Sequence, residues 1–274
     1  MEYFTTAGGI TVHLLDTWEK GKKEKDKTIV LLHGYLETMN IWNELADILK
    51  DRYRVIMMDL PGHGLTDSAP ASADGQVVNT MEFGADVVKG LIEKCNARNV
   101  CLAGHSMGGY ITLAFCKKYP SYINGAILFN SNPYRDDPAK AEDRKREIDV
   151  IRSGKLMTLA ELSIPKMFNP ENLRKFDDKI METIELCDMH NPEGIVASVS
   201  GMQQREDTSE ILENPPFGIM SFEGDCDKFM PLERVQEMIS KYPKVKHVLL
   251  ENTGHNSFIE ARDKVYEQIC EFLG

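Results

Sequence analysis

From residue 28 onward the chain alternates short, unbroken apolar runs with longer segments whose apolar positions recur every three or four residues. The runs are Ile29 to Leu32, Val55 to Met58, Val100 to Ala103, Ala126 to Phe129, Ile219 to Phe222 and Val248 to Leu250. They lack the in-and-out alternation of a half-exposed strand and are too short for helices, so they predict strands covered on both faces. Helices are predicted over Ile41 to Leu49, Met81 to Cys95, Met107 to Lys118, Leu232 to Ser240 and Ser257 to Phe272; in the second, Phe83, Val87, Val88, Leu91 and Ile92 share one face. Pro120 and Pro231 mark a helix end and a helix start. Strands alternating with helices predict an α/β fold, a mostly parallel central sheet with helices on both faces. Ahead of it, Tyr3 to Asp16 with Gly8-Gly9 at its middle predicts an entering β-hairpin, and Gly21 to Lys27 reads as a solvated charged loop.

One interval breaks the rhythm. Between Phe129 and Ile219 about ninety residues carry no strand pattern, far more than a connection in an α/β unit needs. Helical segments are predicted there over Asp143 to Arg152, Leu156 to Met167, Glu171 to Met189 and Glu193 to Gln204, punctuated by Pro133, Pro138, Pro165, Pro170 and Pro192. The expectation is a core made of residues 1–132 and 214–274, with residues 133–213 inserted as a helical cap where a substrate cavity would form.

Composition narrows the partners. The 274 residues and a hydrophobic fraction of 42% suffice for one large domain with an insertion. A net charge of −11 with interspersed Lys and Arg argues against nucleic acid and anionic membrane surfaces, leaving a small molecule as the expected partner. Cys95, Cys101, Cys116, Cys187, Cys226 and Cys270 have no paired spacing and read as reduced thiols of a cytoplasmic protein. The first residues, Met-Glu-Tyr-Phe-Thr-Thr, have no basic region and no long apolar region, so no signal peptide is expected, and no run approaches the length of a membrane span.

The chemistry centres on Gly104-His105-Ser106-Met107-Gly108, where a predicted strand turns at once into a predicted helix. A serine at such a corner is pushed out at the sheet edge as a nucleophile, with glycines on either side letting the main chain close up. It needs a base. Of seven histidines, His105 abuts the serine, but neighbours across a sharp turn point apart; His13 lies in the hairpin and His247 begins a strand run. His255, in Thr253-Gly254-His255-Asn256, follows the last strand and falls on a loop at the sheet edge where ligand sites form. The base needs an orienting acid. Glu223-Gly224-Asp225-Cys226-Asp227 follows the strand Ile219 to Phe222 and offers two aspartates, whereas Asn130-Ser131-Asn132 offers no immediate acid. Asp227 is preferred, because a Gly-x-x-Asp spacing lets the chain turn first, and one of the two is expected to make an Asx turn ahead of Pro231. An oxyanion needs two backbone N–H groups, assigned to Met107 and, in the loop His33-Gly34-Tyr35-Leu36, to Tyr35. This chemistry needs neither a metal nor an organic cofactor.

The order Ser106, Asp227, His255, with His33-Gly34 after an early strand and Asp59-Leu60-Pro61-Gly62-His63-Gly64 after the next, resembles the α/β-hydrolase fold family along essentially the whole chain. Trp42 and Arg205-Glu206-Asp207 are similar to the capped single-domain esterases and lactonases of that family. The oxyanion loop reads Gly34-Tyr35-Leu36 where the family commonly has Gly-Phe-Pro. The resemblance implies a serine hydrolase acting on a small or medium carboxylic ester, with Asp59 and His63 structural. Thioesterases, carbon–carbon bond hydrolases and a few slowly hydrolysing receptors share the pattern.

Overall fold

The computed structural model describes residues 1–19, 21 and 25–274. Of the predicted charged loop, Lys22, Lys23 and Glu24 lie outside the described residues. The described strands are β1 (Glu2–Ala7), β2 (Ile10–Asp16), β3 (Thr28–Leu32), β4 (Arg54–Met58), β5 (Val100–His105), β6 (Gly125–Phe129), β7 (Gly218–Gly224) and β8 (Lys246–Leu250). They form one sheet in the order β1-β2-β4-β3-β5-β6-β7-β8, with β1, β2 and β4 joined antiparallel and all later pairs parallel. Every residue of β3, β4 and β6 is buried, as an apolar run covered on both faces requires. In the hairpin, Gly8 and Gly9 have φ of +57° and +84°, the left-handed pair that a two-residue turn between twisted strands demands.

The helices of the first half are α1 (Asn43–Leu49), α2 (Met81–Lys94) and α3 (Met107–Lys118). The Thr80 hydroxyl accepts the Phe83 N–H and starts α2, a cap worth about 1 kcal/mol. Between β6 and β7 come α4 (Pro138–Arg152), α5 (Leu156–Ser163), α6 (Asp177–Leu186), α7 (Pro192–Gln204) and α8 (Ser209–Glu213), with no strand among the described residues. The chain ends through α9 (Leu232–Lys241), α10 (Ser257–Glu260) and α11 (Arg262–Leu273). Helices cover both faces of the sheet: α2 packs on α3 and β1, and α1 on α10 and α11.

The predicted helix bounds need correction where tertiary contacts override the local pattern. Pro138 and Pro192 open α4 and α7 rather than precede them, because proline fits the first helical turn and Asp137 and Asn191 cap ahead of it. The helix predicted to Met167 stops at Ser163, and Ile164–Met167 tightens into a 3₁₀ turn around Pro165. Of Glu171 to Met189 only Asp177–Leu186 is α-helical, followed by a 3₁₀ turn at Cys187–Met189. Residues 169–172 are drawn into turns because the Glu260 carboxylate accepts the Asn169 N–H at 3.1 Å and the Asn172 amide at 2.8 Å. Ser257 to Phe272 breaks at Ala261, which leaves helical geometry with φ −122°.

Three buried histidines bridge this inserted segment to the sheet loops. The rings of His33 and His63 lie 5.2 Å apart, as do those of His63 and His190. His33 Nε2 accepts the Leu60 N–H at 2.9 Å and His190 Nδ1 accepts the Gly64 N–H at 2.9 Å, so those two nitrogens carry no proton. Burial holds all three below the ordinary histidine value, His190 at about 4. Their folded-state values are depressed, so the unfolded chain takes up protons first: stability is complete above the usual 6.5 and is lost as pH falls toward 4. We expect the unfolding free energy from chemical denaturation to drop across that window, by up to about 1.4 kcal/mol per pH unit for each such histidine, and less in His190→Gln.

Candidate active site

The parallel strands end together. Leu32 pairs with Gly104, His105 with Phe129, Phe129 with Phe222 and Gly224 with Leu250, so the loops that follow open on one edge of the sheet. The connections from β3 and β5 run apart there, since β3 lies between β4 and β5, and such a switch point is where open α/β sheets leave a crevice.

Ser106 stands on the corner between β5 and α3 with φ +48° and ψ −109°, a strained conformation for a residue with a Cβ. Tight surroundings impose it. A Cβ on Gly104 would lie 2.2 Å from the Gly108 carbonyl oxygen, and one on Gly108 2.4 Å from the Leu32 oxygen, so both glycines are needed for the turn to close. The Ser131 hydroxyl donates to the Ser106 carbonyl at 2.8 Å and braces the corner from the β6 loop.

The structure brings Asp227 and His255 together: His255 Nδ1 donates to Asp227 Oδ2 at 2.7 Å, both side chains being almost wholly buried. Asp227 Oδ1 accepts the N–H groups of Phe229 at 2.7 Å and Met230 at 3.1 Å. The Asx turn expected of one of the two aspartates is therefore made by Asp227 itself. Asp225 instead accepts the Thr253 N–H at 3.1 Å. Burial pushes the Asp227 carboxyl up, but the His255 ring, the Asn130 amide and the Phe229 N–H outweigh it and hold its pKa below the ordinary carboxylate value. Ser106 and His255 line one cavity, although no hydrogen bond joins their side chains among the described residues.

The backbone N–H groups of Tyr35 and Met107 have no acceptor among the described residues. Leu36 takes φ +62° while fully buried, so this loop holds its bend under strain where the family commonly has proline.

Two further residues escaped the sequence reading. Asn130, at φ +46°, donates to Asp227 Oδ2 at 2.9 Å and to the Gly254 carbonyl at 3.2 Å, tying the acid's loop to the histidine's. Glu37, fully buried with His105, accepts the Gly34 N–H at 2.6 Å and the His105 Nδ1–H at 2.9 Å, while His105 Nε2 donates to the His255 carbonyl at 3.2 Å. The loop of residues 33–36 is thereby linked to the His255 loop. His105 has a supporting place there, as do Asp59, which bonds His13 and accepts the Met39 and Leu65 N–H groups, and Trp42, packed 4.0 Å from Phe258. The only sequence signal for Asn130 was its position directly after a buried strand.

The cavity has a volume of about 310 Å³, near the lower end of ligand pockets, and is walled by the sheet-edge loops and by the insertion, including Tyr134, Arg144, Met167 and Met202. Among the described residues no group of three metal-binding side chains occurs, all six cysteines are free, and no helix is long and apolar enough to cross a membrane.

A family model of the alpha/beta hydrolase fold matches residues 27–262. The chain belongs to the α/β-hydrolase fold family. Its structure is similar to that of a thermophilic, malate-bound esterase from Thermogutta terrifontis, with a TM-score of 0.88, 27% identity and coverage of 100% of this chain and 98% of the other. An enol-lactonase from Burkholderia xenovorans LB400 superposes with a TM-score of 0.86 at 19% identity, covering 99% of each chain. In sequence, a 2-hydroxy-6-oxononadienedioate/2-hydroxy-6-oxononatrienedioate hydrolase of Paraburkholderia phymatum is 24% identical over 97% of this α/β hydrolase and 91% of its own length.

Proposed function

We propose that this α/β hydrolase is a serine hydrolase that cleaves a small or medium carboxylic ester through an acyl-enzyme on Ser106. The observation carrying this reading is the 2.7 Å pair of Asp227 and His255 on the cavity that Ser106 also lines. His255 Nε2 takes the Ser106 proton as Oγ attacks the carbonyl carbon, while Asp227 holds the ring by its Nδ1–H and stabilises the imidazolium. The N–H groups of Tyr35 and Met107 receive the oxyanion, which fits their lack of another acceptor among the described residues. The tetrahedral intermediate collapses, the alcohol leaves with the proton from His255, and water activated by the same ring then releases the acid. Residues 133–213 act as a cap over a core of 1–132 and 214–274, and the substrate is a small molecule bound between them. Six free thiols, four of them buried, support a reducing compartment such as the cytoplasm.

A fluorophosphonate should label the chain once, at Ser106, and excess ester should slow the labelling. Labelling elsewhere, or none in folded protein, overturns the assignment. A screen of esters, thioesters and amides of graded acyl length then measures the preferred bond by kcat/KM. The same side chains permit a second reading, hydrolysis of a compound of the kind named for the Paraburkholderia relative, which the near-complete coverage of that relative favours. Including one such compound in the screen separates the two.

A further inference from the structure

We propose that Arg144 is the receptor for a carboxylate on the substrate, so that this site takes an ester carrying a free carboxylate remote from the bond cleaved. The inference rests on the hydrolase reading above and adds its substrate class. The charge on the cavity wall is opposite to that of the chain. In a protein of net charge −11, the wall carries Arg135, Lys140, Arg144, Arg205, Lys228 and Arg234 against Asp136, Asp137 and Glu147. Cations gathered in a concave, low-dielectric site focus the field and draw anions in.

The two buried arginines on the cavity wall differ. Arg205 is committed to the protein: its Nε donates to the Tyr134 carbonyl at 2.9 Å, its Nη1 to Asp136 Oδ1 at 2.6 Å and to the Met202 carbonyl at 2.8 Å, and its guanidinium stacks 4.1 Å over Tyr110. Arg144, only 6% exposed, uses Nε to reach Asp136 Oδ2 at 2.9 Å, and its Nη1 lies 3.8 Å from Glu147 Oε2, beyond hydrogen-bond length. Its terminal nitrogens have no hydrogen-bond acceptor among the described residues, and the residue lines the cavity. A guanidinium has five N–H donors in a planar fork, and a carboxylate accepts two of them side by side. Those free donors open on the cavity and not on the packed interior, so a ligand carboxylate can take them in exchange for solvent. Asp136 and Glu147 lie within 4 Å of Arg144 and would repel a second negative charge, which favours a monoanionic carboxylate over a phosphate dianion. Arg135, Lys140 and Lys228 at the exposed rim have no carboxylate partner among the described residues and add to the attraction.

The test compares three esters of matched length: a neutral one, one with a terminal carboxylate on the acyl side and one with it on the alcohol side. Wild-type protein is expected to prefer one carboxylate-bearing ester at least about tenfold in kcat/KM, less so at high salt. Arg144→Met should cut kcat/KM for that ester by about 10- to 100-fold, and Arg144→Lys, which keeps the charge without the fork, by less. Which of the two esters wins tells the side on which the carboxylate sits. Glutarate should raise Tm of the wild type and leave that of Arg144→Met unchanged. If Arg144→Met does not fold, Arg144→Lys and Lys228→Gln carry the comparison, each weakening the preference. Equal turnover of neutral and charged esters, or an undiminished preference in folded Arg144 variants, overturns the assignment of Arg144 and leaves the hydrolase reading standing. Absence of turnover for every ester counts against that reading instead, and glutarate binding then decides for Arg144 alone.

Discussion

Ser106→Ala is expected to lower kcat on an activated aryl ester by at least about 10⁴-fold, while the protein melts within a few degrees of the wild type. The two halves of this expectation have separate origins. On the proposed mechanism Oγ is the attacking atom, and the proposed oxyanion donors and the cavity, which remain, account for only a small residue of the rate. Stability barely moves because the Ser106 hydroxyl donates no hydrogen bond among the described residues and alanine keeps the Cβ that makes φ +48° unfavourable. Ser106→Gly supplies the complement: equally inactive, but more stable, since glycine adopts that backbone without strain. Steady-state rates with a thermal melt on each variant make the check, and full activity in Ser106→Ala would remove the proposed nucleophile.

The sheet was legible because burial on both faces leaves a signature in consecutive residues. Ile29–Leu32 and Ala126–Phe129 are apolar without interruption and lie wholly inside. The corner at Ser106 was legible for a related reason: the strain there requires glycines within two residues, so sequence and geometry are local to each other. The partners that position the site are distant in sequence. Asn130 meets Asp227 across 97 positions and Glu37 meets His105 across 68, and neither belongs to a periodic pattern that marks it in advance. Helix ends in the insertion were misplaced where long-range bonds decide them, as Glu260 does for Asn169 and Asn172. Arg144 is the extreme case. Its helix, with Lys140, Glu142, Asp143, Lys145, Arg146 and Glu147 around it, reads as solvated, yet Asp136 draws this one side chain inside.

Asp227→Asn tests the orientation of the histidine, and its expected effect is a loss of about 10⁴-fold in kcat at neutral pH with the loop intact. The loop survives because the amide oxygen of Asn can go on accepting the Phe229 and Met230 N–H groups in place of Oδ1. The other position then becomes an NH₂ donor facing two donors, His255 Nδ1–H and the Asn130 amide. His255 relieves the clash by moving its proton to Nε2, and an imidazole protonated at Nε2 cannot take the proton of Ser106. Asp225→Asn is the control that resolves the ambiguity left by the sequence. That carboxylate accepts the Thr253 N–H and does not touch His255, and an amide oxygen can replace it, so kcat should change by no more than about threefold. The pH dependence follows from the same contacts. The folded-state pKa of Asp227 is depressed, so its contribution to stability is present above the unfolded carboxylate value and is lost as pH falls through the lower folded one. The Asn variant lacks that acid-sensitive step. A denaturation series below pH 4 in which wild type and Asp227→Asn lose stability in parallel would count against the buried, ionised Asp227 carboxylate on which the proposed mechanism depends.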